Sequence, residues 1–152
     1  MKVFRIQHSE DNVGPFQFNY EFGLKSPWYI RHTKYMRDFS SDSYRIGGEG
    51  KYLRIAEFLE YLRKEFEEHI YRDDLFCAYP DLSTLFFFFE DDDLVYLEEE
   101  GFVFLEMELD VFAASDTQVV FHTDAIVSEK CISAIELVKL RETTDKIILD
   151  EI

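Results

Sequence analysis

The chain of 152 residues carries 32 Asp and Glu against 16 Lys and Arg, a formal net charge of −16. Such a charge repels nucleic acid and anionic membranes and draws basic protein surfaces. With 47 % hydrophobic and 17 % aromatic residues, six Gly and three Pro, the chain has the makings of one folded core and is not a disordered or low-complexity polymer.

The acid is unevenly placed. Residues 1–50 hold seven basic and six acidic side chains, residues 51–110 five and eighteen, and residues 111–152 four and eight. Phe and Tyr are interleaved with the acidic stretch, which therefore reads as folded surface and not as a solvating tail.

In chain order, Lys2–Gln7 alternates as a first strand. Asp11-Asn12-Val13-Gly14-Pro15 has turn chemistry, since Asn and Gly accept positive φ and Pro fixes the next φ. Residues 17–43 are irregular and hold four of the seven basic side chains of residues 1–50, with Trp28, Tyr29 and Tyr35 beside Arg31, Lys34 and Arg37. Such a stretch stacks on bases in some proteins, but the net charge of this chain opposes nucleic acid, and contact with its own acidic half is the simpler expectation. Gly47-Gly48-Glu49-Gly50 closes the region and lacks the Gly-Lys-Ser/Thr element of a phosphate loop.

A helix is expected over residues 51–70, because Ile55, Leu59, Leu62, Phe66 and Ile70 recur on one face. Glu60/Lys64 and Arg63/Glu67 are spaced for ion pairs on its outside. Leu75–Tyr79 reads as a short strand. Asp81 is placed to cap a second helix that carries Phe86–Phe89 and ends near Glu90. Four consecutive rings cannot all face one core, so either that helix is central or one or two rings meet a partner. Asp91-Asp92-Asp93 leads into a third helix, Leu94–Glu100, stopped by Gly101.

Phe102–Phe112 is the clearest strand, with Val103, Leu105, Met107, Leu109 and Val111 on one face and Glu106, Glu108 and Asp110 on the other. Gln118–His122 reads as a buried strand. Residues 125–141 fit helix or strand, and Lys146–Leu149 reads as a last strand. The fold class is α+β, a single domain over residues 1–152, mainly an antiparallel sheet packed with two or three helices.

No catalytic or metal motif is specific. His8, His32, His69 and His122 lack zinc-site spacing, and Asp91-Asp92-Asp93 lacks the D-x-D-x-D-G pattern of an EF-hand. Cys77 and Cys131 have no CxxC spacing. With no signal-peptide pattern and no apolar run near the roughly 20 residues of a membrane span, a cytoplasmic protein with reduced thiols is expected.

Val3-Phe4-Arg5-Ile6-Gln7-His8, Gly14-Pro15-Phe16, the capped helix after Asp81, Gly101-Phe102 and Gln118-Val119-Val120-Phe121 together resemble a group of small phage and prophage proteins. The layout is similar, more distantly, to ADP-ribosyltransferases. That resemblance implies NAD as cofactor, Arg5 on its phosphate or ribose, Asp81 at the second motif and Gln118 at the third. Asp81 stands where the pattern has Ser or Thr. Gln118 stands where a carboxylate must oppose developing positive charge, which an amide cannot do, so the implied site is degenerate.

The first functional expectation is a non-enzymatic interaction protein, phage-encoded as the resemblance implies, that binds a basic protein surface, as an inhibitor or a mimic of a phosphate backbone. The contact residues expected are Asp91, Asp92, Asp93, Glu98, Glu99, Glu106, Glu108 and Asp110, with no metal and no cofactor. The alternatives are the NAD-binding domain and an assembly subunit whose aromatic helix packs on its own copies.

Overall fold

Alternation in the clearest strand is the natural starting point for the fold. The computed structural model describes residues 1–9, 44–115 and 118–150, the last six by backbone alone. The expected turn at 11–15 and the aromatic-basic stretch 17–43 lie outside the described residues, as does His32.

Strands β1 (Lys2–His8), β4 (Phe102–Leu109) and β7 (Ile126–Ile132) form one antiparallel sheet in the order β1-β4-β7. Strands β2 (Arg45–Ile46), β3 (Leu75–Ala78), β5 (Ala113–Ala114) and β6 (Val119–His122) form a second, in the order β2-β5-β6-β3. The helices are α1 (Ile55–Phe66), α2 (Leu82–Phe88), α3 (Asp91–Glu99) and α4 (Ala134–Asp150). The class is α+β as expected, with the strands divided between two sheets and four helices about them.

The register of the first sheet corrects the simple two-faced reading of β4. Ile6 pairs with Phe104, Phe4 with Glu106 and Lys2 with Glu108. Directly paired residues share a face, so Glu106 and Glu108 lie on the same face as Phe102 and Phe104. At one end of this face Phe4, Ile6, Phe102, Phe104 and Ile132 are buried against α2, α3 and α4 through Leu85, Phe88, Phe89, Leu94, Leu97 and Leu137. The carboxylates occupy the other end of the face. The opposite face carries Val3, Leu105, Met107 and Leu109, which pack on Ala78, Val119 and Phe121 of the second sheet. On its far side the second sheet meets α1, through Ile55, Phe58, Leu59, Leu62, Leu75 and Val120. The layers therefore run helices, sheet, sheet, helix. Each fully buried Leu or Phe in them contributes roughly 1.5–3 kcal/mol. The two sheets join where Phe4 and Tyr79 exchange backbone hydrogen bonds of 3.0 and 2.7 Å.

The ends of the elements follow local chemistry. Asp81 caps α2 as expected, its Oδ1 accepting from the Thr84 N–H at 2.7 Å. The third helix begins at Asp91, earlier than expected, because Asp93 Oδ2 accepts the Glu90 N–H at 2.8 Å. Gly101 has φ +93, and a Cβ there would stand 3.0 Å from the His8 Nε2, so this turn needs glycine. Arg63 pairs with Glu60 at 2.5 Å and donates to the Ile70 carbonyl at 2.9 Å, a different pairing from the one the spacing suggested.

Residues 125–141 resolve into β7 followed by the start of α4, divided at Ser133, whose Oγ accepts from the Glu136 N–H at 3.1 Å. Lys146–Leu149 is not a strand. It continues the backbone of α4, the local β-branched pattern being overridden by a helix already under way. Of the Phe cluster, Phe88 and Phe89 are buried, Phe86 stacks under the Arg141 guanidinium at 4.5 Å, and Phe87 is 61 % exposed.

Candidate functional site

The helix α1 ends at Glu67, which turns the chain in the left-handed region at φ 52. The next residue, Glu68, is thereby directed toward the end of β6. There His122 closes the strand, and the single turn Thr123–Ala125 folds back so that the Asp124 N–H donates to His122 Nδ1 at 3.1 Å. The imidazole is only 8 % exposed and packs against the Phe66 ring at a centroid distance of 5.9 Å. Glu68 Oε1 lies 3.7 Å from His122 Nε2, and Asp124 Oδ2 lies 3.5 Å from Nδ1. One donor atom from each of the three side chains falls within 4.8 Å of the others.

The electrostatics of this cluster are unusual. The Glu68 carboxyl is held above the usual carboxylate range, first by a hydrogen bond with Asp124, then by partial desolvation and by the charges of Asp124 and Asp74. His122 pulls in the other direction and is outweighed. Sequence spacing gave little notice of this cluster. The one local signal is His122-x-Asp124, and Glu68 is joined to it only by the fold.

The carboxylates expected to meet a partner have varied fates. Asp93 is 5 % exposed and caps α3, so it offers no charge to the surface. Asp91 pairs with Arg141 Nη1 at 2.7 Å. That guanidinium also donates to the Phe86 and Phe89 carbonyls, binding α4 to the α2–α3 corner. Glu98 Oε2 accepts the Ala134 N–H at 2.8 Å, at the start of α4. Glu106 stands between Lys130 at 3.3 Å and Lys2 at 3.7 Å, and Glu108 takes the Met1 ammonium at 2.8 Å. These groups line a shallow groove of about 220 Å³ with Ser128 and Glu129. Asp92, Glu99 and Asp110 are exposed and have no ion-pair partner among the described residues. Exposed Glu65 lies in the last turn of α1, and exposed Glu67 and Asp73 lie between α1 and β3.

The residues singled out by the transferase-like layout are each engaged within the fold. Arg5 is 4 % exposed. Its Nη1 donates to the Cys77 carbonyl at 2.6 Å, its Nε to Gln7 Oε1 at 2.9 Å, and its guanidinium lies 5.0 Å from the Phe76 ring centre. Burial lowers its pKa from the ordinary arginine value. Gln118 is 6 % exposed, and its Oε1 accepts from the Tyr44 hydroxyl at 2.8 Å. Asp81 caps α2. Arg5 thus ties the first sheet to the second, and Gln118 anchors the start of β6.

A family model described as Bacteriophage T4 Y00F protein matches residues 1–135. The chain belongs to that family. The match bears on the phage resemblance and carries nothing of the transferase layout. It takes in the seven described strands, α1 to α3, and Glu68, His122 and Asp124, and stops as α4 begins. No curated protein and no solved structure matches the chain. No described helix is long and apolar enough to cross a membrane.

Proposed function

We propose that this Y00F-family protein acts by binding a basic surface of a partner protein, as an inhibitor or a stand-in for a phosphate backbone. The observation that carries the reading is the acid left over once the fold has used what it needs. Asp92, Glu99 and Asp110, together with Glu65, Glu67 and Asp73, remain exposed, against Lys64 and Arg72 on the α1–β3 stretch. A field of this sign raises the rate of encounter with a cationic surface and sets its register. Exposed Phe87 supplies an aromatic contact of the kind that anchors interfaces. The second reading, an NAD-binding domain, draws no support from the placement of Arg5, Asp81 and Gln118.

The test is a salt series. The protein is immobilised, exposed to a host lysate at low salt, and the captured partner is purified and its association rate measured from low to high ionic strength. The rate is expected to fall steeply with salt. Joint replacement Asp92→Asn, Glu99→Gln and Asp73→Asn is expected to slow association by roughly tenfold while leaving the fold intact. An association rate that is flat across the series rejects the proposal.

A further inference from the structure

We propose that Glu68, His122 and Asp124 form a binding site for a divalent transition-metal ion of the zinc class. The geometry is close to what such an ion requires. Ligand atoms about a tetrahedral zinc with bonds of about 2.0–2.1 Å stand about 3.3 Å apart. Glu68 Oε1 stands 3.7 Å from His122 Nε2, and one donor atom from each of the three side chains lies within 4.8 Å of the others. Small side-chain rotations at two exposed carboxylates close the difference.

The donor that needs most precise placement is also the most rigid. His122 is more than nine-tenths buried, lies against Phe66, and is fixed at the end of a strand whose neighbours β3 and β5 hold it on both sides. Its Nε2 has no hydrogen-bond partner among the described residues, the nearest acid being Glu68 Oε1. In the metal-free fold Nδ1 accepts the Asp124 N–H at 3.1 Å, which leaves the ring proton on Nε2; ligation through Nε2 moves that proton to Nδ1 and gives up this hydrogen bond.

Charge argues in the same direction. Glu68 and Asp124 are two carboxylates set about one imidazole, with Asp74 nearby. A divalent ion discharges their mutual repulsion. One nitrogen and two oxygen donors favour zinc and its transition-metal neighbours over magnesium or calcium, which prefer all-oxygen shells. Three protein ligands leave a fourth position for water or for an atom of a partner. Because Glu68 follows α1 and the other two ligands follow β6, the ion clips the outer helix to the second sheet.

The full-length chain, treated with EDTA and exchanged into chelator-free buffer at neutral pH, is titrated with zinc chloride and separately with magnesium chloride by calorimetry. The expected result is one zinc per chain with a dissociation constant on the order of micromolar, magnesium weaker by about 100-fold or more, and a higher melting temperature with zinc. Glu68→Gln and Asp124→Asn, both at exposed positions, are each expected to weaken zinc binding by about tenfold or more, whereas Glu99→Gln leaves it unchanged. Absence of saturable zinc binding below about millimolar overturns the proposal. So does one-to-one binding that survives both ligand substitutions, since the ion then sits elsewhere.

Discussion

The acidic end of β4 and the acidic turn after α1 are built from the same residue types and treat charge in opposite ways. Glu106 and Glu108 sit on a sheet, each met by a cation held in register on a neighbouring strand: Lys2 and Lys130 for the first, the Met1 ammonium for the second. Glu68 and Asp124 lean on each other, with Asp74 adding to the repulsion and only an imidazole to relieve it. The lesson is that a count of carboxylates measures neither surface field nor function. What matters is which of them the fold has already answered. On β4 the acid is structural. After α1 the acid is met by more acid and one imidazole.

Substitutions sharpen this contrast, and the largest effect is expected where a cation answers several groups at once. Arg141→Ala removes the partner of Asp91, the donors to the Phe86 and Phe89 carbonyls and the stack on Phe86, and is expected to cost about 2–3 kcal/mol in urea unfolding. Asp93→Ala strips the cap from α3 and is expected to cost about 1–2 kcal/mol by the same measurement.

The sharpest comparison is a pair of neutralisations with opposite signs. Glu106→Gln leaves Lys2 and Lys130 without their acid and is expected to destabilise by about 0.5–1 kcal/mol, an effect that shrinks in high salt. Glu68→Gln in the metal-free protein is expected to stabilise at neutral pH. The Glu68 pKa is raised in the folded state, so the fold binds its proton more tightly than the unfolded chain does. The stability gained from that proton is complete below the ordinary glutamate value of about 4.3 and is lost as pH rises through the raised value. The Gln variant, permanently uncharged, should therefore melt above the wild type at pH 7 and level with it in acid. Equal melting at both pH values would break the comparison. The smallest effect on stability is expected for Asp92→Asn and Glu99→Gln, within about 0.5 kcal/mol, because both are exposed and have no ion-pair partner among the described residues.

Much of the fold was legible where a pattern is local. The period of Ile55, Leu59 and Leu62 gave α1, alternation gave β4, and Asp81 announced α2, since each signal depends on neighbours three or four residues away. Residues 125–141 fitted helix or strand, since the β-branched residues there masked the change that the structure makes at Ser133, whose Oγ accepts from the Glu136 N–H. The fate of the carboxylates was not legible. Asp91 finds its cation fifty residues on, and Glu106 finds one of its two on β7. The cluster of Glu68, His122 and Asp124 was hidden for the same reason, because α1 and β6 meet only through the packing of the second sheet.

The pairing of β1 with β4 joins stretches about a hundred residues apart in sequence, from Lys2 with Glu108 to His8 with Phe102. A ribosome adding about 5–20 residues per second makes β1 several seconds before its mate exists. For that interval Phe4 and Ile6 belong to an unpaired, sticky ribbon, while the segment being synthesised behind them is the most negatively charged of the chain. Where two such ribbons approach within the screening length of about 8 Å, the like charge that follows each of them opposes their association while the hydrophobic strands are bare.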